Sequence, residues 1–217
     1  MPTVRESENH RLIGGELCLD FVNTLNGHTR SSPHEYLHDF QDLLLWGRHA
    51  GALSLAETAV LQKEAAQRPE QAQAIYCRSL ELREGLFRIF SALAQGRRVE
   101  GRDLEQLNAT WQASQSHTRL VPTGDRFAVG WDDEPCLESV PRRAAASAIQ
   151  LLTSGRVAQM RACSGEGCDW LFIDDSRNHL RRWCSMDECG NRAKMKRRAR
   201  RERALSANAP LRGTRLR

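Results

Sequence analysis

Long apolar runs are missing from this chain. No window approaches the roughly 18 consecutive apolar residues of a membrane-crossing helix. No membrane partner is therefore expected. The opening Met1-Pro-Thr-Val-Arg-Glu-Ser-Glu-Asn-His-Arg11 carries charges where a secretory leader needs an apolar segment. A cytoplasmic location is the expectation that follows. Aromatics make up only 6% of the 217 residues, with 7 Pro and 15 Gly, which excludes both an all-β sandwich and a low-complexity chain. Catalytic signatures are also lacking. There is no G-x-S-x-G elbow, no phosphate-loop glycine pattern and no dinucleotide fingerprint, so no enzyme is expected.

What is present is unevenly spread. The hydrophobic fraction, 40%, suffices for a buried core. Residues 1–155 hold 16 Lys+Arg against 20 Asp+Glu, while residues 156–217 hold 16 against 7. An acidic body thus precedes a strongly basic end, and such an end calls for a polyanion. The seven cysteines divide at the same place: Cys18, Cys77 and Cys136 are scattered, whereas Cys163, Cys168, Cys184 and Cys189 cluster in the basic part. A chain without a leader keeps its thiols reduced, so these are not a disulfide framework. The boundary belongs near Thr153-Ser154-Gly155, giving a body over 1–155, a small module over 156–205 and a flexible tail over 206–217.

The acidic body reads as mostly helical. Ser32-Pro33-His34-Glu35 has the form of a capping box, with Leu37, Phe40 and Leu44 following at helical spacing toward Gly51. Ser54-Leu55-Ala56-Glu57 is a second such box, opening a helix that ends before Pro69. A long helix carries Ile75, Leu82, Leu86, Ile89, Phe90 and Leu93 on one stripe and closes at Gly96. Another starts at Asp103, with Leu104, Leu107 and Trp111 on one face. Phe127, Val129 and Trp131 then alternate after the turn signal Gly124-Asp125, which predicts a short hairpin. A last helix spans about Pro141–Leu152, with Ala144, Ala145, Ala148, Ile149 and Leu152 inward.

Two polar constellations stand out in the body. In Gly14-Gly15-Glu16-Leu17-Cys18-Leu19-Asp20-Phe21-Val22-Asn23-Thr24, the residues Asp20, Asn23 and Thr24 mark a polar side opposite Leu17 and Phe21. Such a cluster can line the pocket of a small-molecule effector, or an enzyme's site, or it can brace neighbouring helices. His34, His38 and Asp42 fall at four-residue intervals and could present metal ligands on a helix face. A zincin needs further ligands that are not there, so a solvated face with a His–Asp contact is expected. Cys18 and Cys77, among apolar neighbours, read as small core residues.

The basic part holds two Cys-x4-Cys pairs, Cys163/Cys168 and Cys184/Cys189, separated by fifteen residues. Two tight loops can complete a tetrahedral four-sulfur shell, which suits zinc or an iron–sulfur centre, and one structural zinc is the expectation. Gly165, Gly167 and Gly190 are placed to give the loops positive φ. A segment of this size cannot bury a sufficient core without such a staple. Full ligation leaves no open position for catalysis, and His179 is left over. Arg177, Arg181, Arg182, Arg192 and Lys194 are close enough in sequence to offset the charge of a zinc tetrathiolate.

The stretch from Cys163 through Trp170, Phe172, Asp174, Ser176, Arg177, Asn178, Arg182, Trp183 and Met186 to Cys189-Gly190-Asn191-Arg192 resembles the CGNR zinc finger. The opening Gly14–Thr24 motif resembles the ABATE domain, which precedes that finger in bacterial stress-induced transcription regulators. The resemblance implies zinc on the four cysteines and DNA binding.

Residues Arg192 to Arg203 add eight cations in twelve positions: Arg192, Lys194, Lys196, Arg197, Arg198, Arg200, Arg201 and Arg203. Like-charge pairs four apart cost a helix roughly 0.2–0.5 kcal/mol each, a penalty that a phosphate backbone removes. The expectation is a mainly α protein: a helical body with a small β-hairpin, then a four-cysteine finger running into a basic helix. Its expected work is regulated binding of duplex DNA, with RNA as the alternative. Arginines and lysines contact phosphates, and Asn191 or Asn178 either reads a base edge or braces its loop. The body then serves as effector sensor or homodimerisation unit.

Overall fold

The computed structural model describes residues 5–131 and 134–207. Its body is built from six helices: α1 (Leu17–Val22), α2 (Phe40–His49), α3 (Leu55–Gln67), α4 (Pro69–Ala94), α5 (Gly101–Gln115) and α6 (Ser139–Thr153). The short α1 is the axis of the packing. Cys18, Leu19, Phe21 and Val22 are fully or almost fully buried, and the helix rests on both α4 and α6. Small side chains allow that approach: Ala144, Ala145 and Ala148 of α6 are at 0% exposure. The α4 stripe of Ile75, Leu82, Leu86, Ile89 and Phe90 is buried as its spacing requires, while Leu93 at its end is partly exposed.

The second capping box forms as read. Ser54 Oγ accepts from Glu57 N at 3.1 Å and Glu57 returns a carboxylate to Ser54 N at 2.7 Å. The first does not form. His34–Glu35 is a short strand, β2, paired antiparallel with β1 (Leu25–Asn26), and α2 begins only after Asp39, whose carboxylate accepts from Asp42 N. The reason is a tertiary ion pair. Arg83 of α4, at 3% exposure, grips both oxygens of Glu35 at 2.7 Å, and Glu35 Oε1 also accepts from Leu37 N at 2.9 Å, so that carboxylate does not return to Ser32. His34, His38 and Asp42 consequently share no helix face. His34 bonds Glu6, while Asp42 accepts from Arg5, Ser7 and the His38 backbone.

Two further expectations are corrected by packing. Cys18 is buried but Cys77, on the outer side of α4, is exposed. On α5 the inward residues are Asp103, Leu107 and Ser114, with Leu104 turned partly to solvent. Asp103 sets that rotation, because its buried carboxylate takes Arg88 of α4 at 2.7–3.0 Å.

The predicted hairpin is present as β3 (Thr118–Thr123) and β4 (Arg126–Trp131), turned at Gly124 with φ +64°. A second antiparallel hairpin, β5 (Met160–Ala162) with β6 (Leu171–Ile173), carries the cysteine segment. Alternation along β6 gives it two duties. Leu171 and Ile173 join the core of the helical body, and Trp170 and Phe172 pack with the cysteines. The basic segment follows as α7 (Asn191–Ala207), so the helix reaches into the stretch read as tail, and residues 208–217 lie outside the described ones. Among the described residues no helix is long and apolar enough to cross a membrane.

Candidate metal centre and nucleic-acid interface

The cysteine loops are held by their own backbone. Cys163 N donates to Trp170 O, Cys168 N to Gly165 O and Ser164 N to Arg182 O, which closes the first loop against the second. Gly167 takes the expected positive φ, +67°, whereas Gly165 and Gly190 do not. Space explains those two instead. A Cβ on Gly165 would stand 2.8 Å from the Cys189 sulfur, and one on Gly190 2.8 Å from the Met186 sulfur.

The four sulfurs lie within 4.8 Å of one another, with Cys168 to Cys184 and Cys184 to Cys189 both at 3.7 Å. A zinc ion holding thiolates at about 2.3 Å in a tetrahedron places neighbouring sulfurs about 3.8 Å apart. The shell therefore fits one structural zinc. Among the described residues no other group of three or more His, Cys, Asp or Glu converges in this way.

Charge makes the same demand. The Cys163 thiol is driven far below its ordinary range by hydrogen bonds from Cys168 and Cys184, helped by the N–H groups of Cys184 and Gly165 at 3.3 Å. Its bond with Cys163 pushes Cys168 up to about 12, and Cys184 is likewise raised. Crowding thus opposes ionisation of Cys168 and Cys184, and a bound dication favours the thiolate form.

Around the sulfurs the basic residues divide into those that hold the finger together and those exposed along α7 and its loop. Arg192 places Nη2 3.4 Å from the Cys189 sulfur. Arg181 is half-buried: it stacks on Phe172 at 4.3 Å and donates to the carbonyls of Trp183 and Cys184. Arg182 lies over the Trp183 ring at 5.6 Å. Asn191 donates to Asp187 O at 3.1 Å and so braces the turn into α7. Lys196 pairs with Glu166 of the first cysteine loop, fixing α7 against it. Arg177 and Asn178 are exposed on a loop organised by Asp174, whose buried carboxylate accepts from Ser176 and from Arg181 N. His179 bonds the Asp174 carbonyl, away from the sulfurs. Lys194, Arg197, Arg198 and Arg201 are exposed on α7.

Of Asp20, Asn23 and Thr24, only Asn23 lies at the seam between body and finger. Asn23 forms two bonds with one residue of β6, Nδ2 to Leu171 O and Leu171 N to Oδ1, both 2.9 Å. Asp20 accepts from Gly14 N at 2.7 Å. Burial raises its carboxyl to about 6. Thr24 bonds Phe21 O and receives Arg83. Sequence reasoning missed Asp169, which accepts from Gly27 N and Thr29 N, and Arg11, which pairs with Glu188 at 2.6 Å. No local signal marks either, since each partner is more than 100 residues away.

A helical body bolted to a four-cysteine centre that launches a basic helix defines a zinc-finger protein with an N-terminal helical domain. Comparison with protein families gives the particular one. Residues 15–155 match ABATE, described as a putative stress-induced transcription regulator, and residues 159–202 match the CGNR zinc finger. The chain belongs to the ABATE family and carries a CGNR zinc finger. None of the individually curated proteins compared with it matches.

Proposed function

We propose that this transcription regulator acts in the cytoplasm by binding duplex DNA directly, with the zinc-stapled segment presenting α7 to the phosphate backbone. The observation that carries this reading is the junction at Cys189-Gly190-Asn191. The last sulfur is followed at once by a helix whose eight cations from Arg192 to Arg203 are all exposed. An open groove of about 780 Å³ runs between that helix and the first cysteine loop, lined by Ser164, Arg192, Lys196, Arg197, Arg200 and Arg203. Only Glu202 opposes the cations within the helix, paired with Arg198. Arg177 and Arg182 extend the basic surface onto the finger, Asn178 is the exposed candidate for a base edge, and Asn191 braces its turn.

In this reading Asn23 fixes the finger to the body, Asp20 and Thr24 brace the body itself, and none of the three takes part in chemistry. Fluorescence anisotropy on mixed-sequence duplex DNA tests the proposal, with duplex RNA as competitor. The expected result is binding that DNA competes about tenfold better than RNA, consistent with α-helical access to the B-form groove. No binding near 100 mM salt, or better competition by RNA, overturns it.

A further inference from the structure

Two buried nitrogens between the body and the finger have no hydrogen-bond partner among the described residues: His10 Nδ1 and Trp170 Nε1. His10 is 2% exposed and Trp170 6%, and their rings lie 5.3 Å apart. A buried polar group left unmet is costly, so each calls for a partner. The two are opposite in kind. His10 Nε2 meets the Asn23 carbonyl at 2.9 Å, and a carbonyl only accepts. Nε2 therefore carries the hydrogen and Nδ1 is a bare acceptor. Burial, which lowers His10 to about 4, keeps the ring in this neutral form. The indole nitrogen of Trp170 only donates. A single group that satisfies both must give one hydrogen and accept another.

Both residues line one pocket of about 130 Å³, walled by the body on one side and the finger on the other. Arg11, Arg30 and Arg192 reach it from three separate segments. Arg11 is matched by Glu188 at 2.6 Å, and Arg192 places Nη2 3.4 Å from the Cys189 sulfur. The Arg30 guanidinium has no acidic partner among the described residues, yet its place is fixed. Asp169 accepts from Gly27 N and Thr29 N of its loop, and Arg30 N bonds Gly27 O at 2.9 Å. The guanidinium then lies against Gly167, where any Cβ would collide with it. One cation is thus left over beside one orphaned donor and one orphaned acceptor.

We propose that this pocket binds a small oxyanion that keeps a hydroxyl, of which inorganic phosphate is the simplest. Its O–H donates to His10 Nδ1, a second oxygen accepts from Trp170 Nε1, and its charge rests against Arg30. The volume equals that of about four waters at about 30 Å³ each, which admits a phosphate and excludes a nucleotide. Sulfate has the same shape but no hydrogen to give near neutral pH, so it leaves the His10 acceptor unmet. A phosphodiester lacks that hydrogen too, which separates this site from any contact of α7 with a DNA backbone. The site therefore stands independently of DNA binding. Its ligand touches His10 and Arg30 from the body and Trp170 and Arg192 from the finger, a place where an effector stabilises their union.

Calorimetric titration of the full, zinc-loaded chain with sodium phosphate tests this, with sodium sulfate and dimethyl phosphate as the other arms. Phosphate should bind saturably, one ion per chain, with a dissociation constant at or below about 1 mM. Sulfate and dimethyl phosphate should bind about tenfold more weakly or worse. Arg30→Ala should weaken phosphate about tenfold or more, with zinc content and circular dichroism unchanged. A basic helix attracts any anion, so this variant also decides location: phosphate affinity that survives Arg30→Ala belongs to α7 and overturns the proposal. On the unaltered chain, nitrogen-15 NMR should show phosphate moving the His10 Nδ1 resonance more than Nε2. No saturable binding up to about 10 mM phosphate, equal binding of sulfate, or an unmoved Nδ1 resonance overturns it as well.

Discussion

At the scale of single residues, two buried groups oppose each other in acid. Burial lowers His10 to about 4 and raises Asp20 to about 6. His10 binds its proton less readily in the folded state, so its contribution is present above about 6.5 and is lost as pH falls toward 4. Asp20 binds its proton more readily when folded, so its contribution grows as pH falls through 6. Between pH 7 and 5 these amount to about 2 kcal/mol lost and about 1 kcal/mol gained. Asp20→Asn removes the gain. Urea unfolding should show the variant losing about 1 kcal/mol more than wild type over that interval, with protonation of the zinc-binding thiolates cancelling in the difference; parallel curves would refute the assignment. Asn23→Ala leaves both backbone groups of Leu171, a fully buried residue, without partners. It should cost about 2–4 kcal/mol with unchanged zinc content, read by chemical denaturation and metal analysis.

At the scale of elements, what the sequence showed depended on how local each cause is. Ser54 and Glu57 cap their helix because both partners lie within one turn. Ser32 and Glu35 have the same spacing, yet Arg83, 48 residues away, takes the carboxylate and a strand forms instead. The β3–β4 hairpin was legible from alternation and Gly124, but the exposure of its apolar face was not, since alternation says nothing about what lies beneath. The four cysteines were legible because metal ligation imposes spacing. Their fastening to the body was not, for Asn23–Leu171 and Asp169–Gly27 carry no periodic signal. This fastening changes what metal removal should do. Chelation should free amides from Cys163 through α7 to exchange, since the segment cannot order without zinc. It should also raise exchange in α1, which packs against β6. Protection in α3, which lies elsewhere, should persist. Hydrogen-exchange mass spectrometry reads all three regions, and an unchanged segment after complete zinc loss would contradict the structural role of the metal.

At the scale of the whole molecule, an acidic body and a basic finger are joined through Asn23–Leu171, Asp169–Gly27 and the packing of α1 on β6. Glu35→Ala should show how tightly the parts depend on each other. It leaves Arg83, 3% exposed, with only Glu84 and Thr24. A loss of about 3 kcal/mol is expected, as for a buried pair broken on one side, measured as a shift in the unfolding midpoint. The central claim, however, concerns phosphate. If about half of the eight α7 cations engage, with two or three more from the finger, about six or seven phosphates are contacted. The logarithm of affinity for duplex DNA should then fall against the logarithm of salt with a slope near −6, roughly three orders of magnitude between about 50 and 200 mM. Replacing Arg197 and Arg201 by Ala should weaken binding to all sequences alike and flatten that slope by up to about two units. The most direct measurement is this salt titration on wild type and the double variant together. A steep slope that flattens in the variant is the predicted result; affinity that ignores salt, or persists unchanged without residues 192–217, would contradict it.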